Sequence, residues 1–193
     1  MTNRCNLRCK HCYIEAEDKS YREELSTEEA REFIKDLADM KAPVLLFSGG
    51  EPLMRKDIFE LGKMAAELGL RPVISSNGTL IDRATAAQIK AAGFQYVGIS
   101  IDGAPATHDE FRNKQGAFAA ALKGIKACLA EGVKPESDLR SINITRPTFR
   151  RFSRSSNGKG FPAFACTTWS MPAGAKKWPG WIPIRMKNVK SWS

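Results

Sequence analysis

The sequence predicts an α/β protein built on a parallel sheet, and two observations carry that prediction. Short apolar runs alternate with amphipathic stretches of helical period, and a glycine stands where most of the helical stretches end. Such a chain folds as a doubly wound sheet or as part of a (β/α) barrel, and in both the function gathers at the C-terminal ends of the strands.

Ser26-Thr27-Glu28-Glu29 has the form of a capping box, and Ala30, Phe33, Ile34 and Leu37 follow at helical spacing as one apolar stripe. Pro43 ends that element, and 44–47 reads as a strand buried on both faces. It runs into Ser48-Gly49-Gly50-Glu51-Pro52, then a helix over 57–68 stopped by Gly69. Strand 73–75 runs into Ser76-Asn77-Gly78, then a helix over 82–92 stopped by Gly93. Strand 96–101 runs into Asp102-Gly103. The next helix, 116–131, has Phe118, Leu122, Ile125 and Leu129 on its buried face and is stopped by Gly132. A last strand lies within 139–144.

Composition divides the chain in two. All 21 acidic residues lie at or before Asp138, where 19 of the 30 Lys and Arg accompany them, so the basic balance behind the net charge of +9 lies entirely in the remainder. All four Trp lie there too. No apolar run is long enough to span a membrane and no leader pattern opens the chain, so a cytoplasmic protein is expected. Five cysteines with three crowded together do not form a secreted disulfide framework.

Those three are Cys5, Cys9 and Cys12, in Cys5-Asn6-Leu7-Arg8-Cys9-Lys10-His11-Cys12. Three thiolates on one loop can hold three irons of a cubane cluster and leave the fourth open. Half of a zinc site, with His11 or a distant residue as fourth ligand, is the competing reading, and plain buried cysteine a third. At the strand ends, Gly49-Gly50-Glu51-Pro52 offers bare backbone to a ligand and a carboxylate to a cation, or is simply a Gly-Gly turn. Ser75 and Asn77 follow the next strand and Ser100 and Asp102 the one after; turn chemistry alone also accounts for Asn77 and Asp102. A lone His108 beside a helix start reads as a surface or capping residue, and Cys128 as core packing.

Together the cysteine loop and Gly49-Gly50-Glu51 resemble the radical S-adenosylmethionine (SAM) enzymes, with His11 in the aromatic slot of their C-x3-C-x-aromatic-C loop. The runs Leu45–Leu53, Tyr96–Gly103 and Thr107–Phe118 are similar to the branch that makes haem d1, or haem from sirohaem. Peptide-maturing members are the nearest alternative within the family. The resemblance covers about residues 1–146 and implies a partial (β/α) barrel with parallel strands and outer helices, lacking its first strand and C-terminal strands. It implies a [4Fe-4S] cluster on Cys5, Cys9 and Cys12. SAM is then held by Gly49, Gly50, Glu51, Ser75, Asn77, Ser100, Asp102 and His11, with Glu51 in the motif that holds the methionine ammonium. The implied reaction is reductive cleavage of SAM to a 5′-deoxyadenosyl radical acting on a tetrapyrrole. Flavodoxin or ferredoxin would donate the electron, and neither a membrane nor a nucleic acid is an expected partner. No catalytic acid or base can be nominated.

From 147 to 193 the apolar periodicities stop, leaving a basic tail rich in Trp, Pro and Ser. A disordered tail and an RNA-binding arm are two accounts of it. A third is translation out of frame. Codons permitted for 146–183, displaced by one base, encode an acid-containing segment similar to the family's continuation, as if one base were lost after the Arg146 codon. With the first strand and the last strands missing, the chain is expected to be poorly stable or inactive. A zinc-binding, nucleic-acid-associated protein is the rival from a different class.

Overall fold

Ser26 and Glu29 do form the reciprocal cap: Ser26 Oγ accepts from the Glu29 amide at 3.2 Å, and Glu29 Oε2 accepts from the Ser26 amide at 2.8 Å. This cap opens α1 (Thr27–Asp39) in a computed structural model that describes residues 2–22 and 24–139. The strands are β1 (Leu45–Phe47), β2 (Pro72–Ser76), β3 (Val97–Ile101) and β4 (Pro135–Leu139). Between them come α2 (Ile58–Glu67), α3 (Arg83–Ala91), α4 (Pro105–Arg112) and α5 (Ala117–Glu131). Asp82 caps α3 through the Thr85 amide at 2.7 Å. Gly69, Gly93 and Gly132 all hold positive φ beyond their helices, as the expected stops require.

All three strand pairings are parallel and the order is β1-β2-β3-β4. A doubly wound sheet would reverse its strand order at some point. Sequential order with helical crossovers is that of a partial (β/α) barrel. No strand precedes β1 among the described residues. In its place Thr2 makes a parallel bridge to Gly49, and the amides of Gly50 and Glu51 donate to the carbonyls of Thr2 and Arg4 at 2.7 and 2.8 Å.

One core joins the helices to one face of the sheet, with Phe47, Ile58, Leu61, Ile74, Ile89, Val97, Ile99 and Ile125 among its buried members. Cys128 is fully buried in it, as packing predicts.

Four expectations need correction. Residues 44–47 are not buried on both faces: Phe47 is enclosed, but alternation turns Leu46 to the other face, where it is 53% exposed. β1 is the edge strand of the sheet among the described residues. Phe33 is 51% exposed and Leu129 is also exposed, because Ala30 and Ile34, and Ile125 and Cys128, take the inward positions of α1 and α5. α1 ends at Asp39, short of Pro43. The last strand is 135–139 rather than 139–144: backbone register pairs Val97 with Pro135 and Ile101 with Leu139, although residues 136–138 carry no apolar pattern. Residues 140–144 and the tail lie outside the described residues.

Candidate functional site

The cysteine loop crosses the C-terminal ends of the strands. Leu7 anchors it in a small satellite core with Cys5 and Ala16, and the Cys5 amide donates to the Glu17 carbonyl at 3.0 Å. The turn between the second and third cysteines closes through the Cys12 amide on the Cys9 carbonyl at 3.1 Å. The glycine pair makes this docking feasible. A Cβ on Gly49 would strike the Thr2 carbonyl oxygen, and one on Gly50 that of Arg4. The missing side chains therefore admit the protein's own N-terminal backbone as well as leaving bare main chain along the pocket.

All three sulfurs line one pocket, and each has an N–H donor nearby. Cys5 Sγ receives the Leu7 amide at 3.4 Å, with Asn77 Nδ2 at 4.0 Å; Cys12 Sγ receives the Ala16 amide at 3.4 Å; Cys9 Sγ receives Arg112 Nη1 at 3.8 Å. Donors aimed at sulfur favour thiolate over thiol. Burial opposes them: it pushes the Cys5 thiol up to about 11, and it also raises Cys9 against the pull of Arg112. Such thiols ionise when a metal replaces their protons. Among the described residues no three His, Cys, Asp or Glu side chains gather closely enough to hold a single metal ion. Cys5, Cys9 and Cys12 all line one pocket, where three thiolates could hold three irons of a cubane cluster.

His11, Gly49, Gly50, Ser75, Asn77 and Ser100 line the same pocket, together with Ser48, Ser76 and Tyr13. His11 is steered by its ring contact with Phe111, centroids 5.6 Å apart. Asn77 spends its side chain on the loops: Nδ2 donates to Asn6 Oδ1 at 2.9 Å, and Oδ1 accepts from the Thr79 amide and hydroxyl at 2.9 and 2.6 Å.

The two carboxylates are enclosed. Glu51 is 0% exposed and accepts from Ser76 Oγ at 2.9 Å, the Asn77 amide at 2.8 Å and the Leu53 amide at 3.2 Å. Burial raises its pKa to about 7, against the pull of those donors. Through these bonds it ties two strand-end loops together. Asp102 is equally buried; burial raises its carboxyl, but bonding to His108 and Arg112 outweighs this and leaves it below its ordinary range.

α4 is what sequence reading missed. His108 is not a surface or capping residue: it is 0% exposed, and its Nδ1 accepts the Asp102 amide at 3.1 Å. Arg112, one turn further on, binds Asp102 Oδ2 through Nε at 2.5 Å and reaches the pocket wall. The signals were Pro105 at the first helical position and the four-residue spacing of His108 and Arg112 after an Asp-Gly strand end.

A parallel (β/α) sheet whose strand ends meet three such cysteines marks the class of barrel proteins that carry a cysteine-bound iron–sulfur cluster. The chain belongs to the Radical SAM superfamily, whose pattern matches residues 1–145. It is 56% identical over 134 residues to Fe-coproporphyrin III synthase of Methanosarcina barkeri, covering 69% of this chain and 34% of that protein. It is 46% identical over 134 residues to pre-heme d1 synthase of Dinoroseobacter shibae, covering 69% and 33%. The chain thus spans about a third of the length of these curated relatives. Streptococcus suis SuiB bound to S-adenosylmethionine superposes with a TM-score of 0.67 at 17% identity, over 78% of this chain and 35% of that one, a likeness of fold. Members of this superfamily are enzymes that use a [4Fe-4S] cluster and SAM.

Proposed function

We propose that residues 1–146 form the core of a radical SAM enzyme acting on a tetrapyrrole. The observation that carries this is the convergence of three sulfurs, each with an N–H donor nearby, on one pocket shared with three strand-end loops. Cys5, Cys9 and Cys12 would hold the [4Fe-4S] cluster, and the pocket backbone at Gly49 and Gly50 with Ser75, Asn77 and Ser100 would receive SAM. When bound, the cluster supplies the electron for reductive cleavage of SAM. The protein's own part is to hold the thiolates, fix the strand-end loops through Glu51 and Asn77, and shield the site.

The tetrapyrrole reading is supported by the names of the two relatives, an iron-coproporphyrin and a pre-heme d1 synthase. A flavodoxin or ferredoxin would be the electron source. Among the described residues no helix is long and apolar enough to cross a membrane, which accords with a cytoplasmic place.

Anaerobic reconstitution of the full chain with iron and sulfide tests the reading. Four irons and four sulfides per chain are expected for a cubane. Methionine and 5′-deoxyadenosine should form with dithionite, and their yield should respond to added sirohaem-derived tetrapyrroles. Ala in place of any of the three cysteines should abolish cluster uptake. Stoichiometric zinc in place of iron would sink the idea. We further read residues 147–193 as out of frame; a displaced coding frame interrupted by stops would refute that.

A further inference from the structure

α4 meets the cysteine loop at four places. The Lys10 amide donates to the Phe111 carbonyl at 2.9 Å, Lys10 Nζ pairs with Glu110 at 3.0 Å, the His11 ring lies tilted against that of Phe111, and Arg112 reaches Cys9. Arg112 differs from the other three contacts because it is almost wholly buried and carries a charge next to a sulfur. Asp102 holds it at Nε, and His108 in turn holds the backbone of Asp102. Arg112 Nη2, Asp102 Oδ1 and His108 Nε2 are buried with no hydrogen-bond partner among the described residues. So costly a group of unsatisfied atoms under the cysteine loop calls for a role.

We propose that Arg112 is a positioning residue for the cluster: it donates to the Cys9 sulfur and raises the cluster's reduction potential, with Asp102 and His108 setting its direction. This rests on the cluster reading above. The other two sulfurs receive neutral backbone amides as their nearest donors, so among the described residues Cys9 alone has a cationic one. Reduction adds negative charge to a cluster already carried by three thiolates. Hydrogen bonds to sulfur and local charge are the main protein levers on such potentials. In this partly buried site a guanidinium is screened less than at the surface. Asp102 offsets part of that charge, so loss of Arg112 also leaves a buried carboxylate without its cation, and both effects disfavour the reduced state.

The test is an EPR-monitored redox titration of the reconstituted full chain, with iron and sulfide measured on each sample. Arg112→Gln should shift the oxidised-to-reduced equilibrium about tenfold or more toward the oxidised cluster, a fall of about 59 mV per tenfold for one electron. Arg112→Lys, which keeps the charge but not the fork, should fall by less. In the wild-type chain labelled with 15N-guanidino arginine, pulsed EPR of the reduced cluster should show weak coupling to an arginine nitrogen. That coupling decides the matter if both variants lose their cluster: its absence overturns the proposal, and its presence upholds it. Equal potentials in fully loaded wild type and variants would overturn it while leaving the cluster reading intact. A wild-type chain that takes up no iron and sulfide would overturn the cluster reading itself, and this inference with it.

Discussion

The cysteine loop and the sheet-and-helix body are held together by different physics. The body buries a continuous apolar core running from Ala30 to Val133, packed between helices and strands. The loop buries only Cys5, Leu7 and Ala16. It is held in place by polar tethers to distant parts of the chain: Thr2 and Asn3 to Glu24, Asn6 to Asn77 and Thr79, Lys10 to α4, and Arg112 to Cys9. Hydrogen bonds of this sort each contribute about 1 kcal/mol net, whereas burying one large apolar side chain contributes about 1.5–3 kcal/mol. We therefore expect the loop to depend on the body more than the body on the loop, and a bound cluster would add what the loop's small core lacks.

Breaking the body should take the loop with it. Phe47 is fully buried and packs edge-on against Phe94, so Phe47→Ala should cost about 3–5 kcal/mol. Urea unfolding followed by circular dichroism would show it, with cluster uptake falling in parallel; a well-folded variant that has lost only the cluster would contradict the dependence.

The next effect comes from Glu51, which joins the two regions. Its folded pKa of about 7 lies above the ordinary 4.5, so its contribution is fully present below pH 4.5 and is lost as pH rises toward 7. The two-and-a-half-unit difference corresponds to about 3 kcal/mol. Glu51→Gln should remove that slope, and urea midpoints between pH 4.5 and 8 for the two proteins should converge or diverge accordingly. Parallel curves would show that the carboxyl is not taken up neutral.

Breaking the join without the core is the sharper contrast. Gly50→Ala drives a methyl into the Arg4 carbonyl and should cost about 1–3 kcal/mol, concentrated in residues 2–17. Hydrogen exchange should speed up at the Cys5 amide and at the Glu51 amide bonded to Arg4, while β3 stays protected. Uniform loosening of β3 would mean that the two regions are one unit. The smallest effect is expected on the far side of the body, where Ser26→Ala removes the α1 cap for about 1 kcal/mol and leaves cluster uptake unchanged.

How much of this was legible follows from the range of each interaction. The α1 cap, the glycine stops, β3 and the burial of Cys128 rest on local pattern, and the sequence shows them. The cysteine spacing and the three strand-end loops were legible as chemistry, and the structure brings them to one pocket. β4 was misplaced because its register comes from pairing with β3, which leaves no apolar pattern at 136–138. His108 and Arg112 were overlooked because their importance lies in Asp102 and Cys9, the latter 103 residues from Arg112. That Ser76, Asn77 and Leu53 donate to Glu51 and enclose it was not legible, since nothing local announces those partners.

By itself, then, the sequence determined the alternation of strands and helices, their caps, and the crowding of three cysteines on one short loop. Only the tertiary structure decided which face of β1 is open, which carboxylates are enclosed, and which cation lies beside which sulfur. Those outcomes depend on backbone segments far apart in the chain meeting at the strand ends, and no periodicity in the chain records such a meeting.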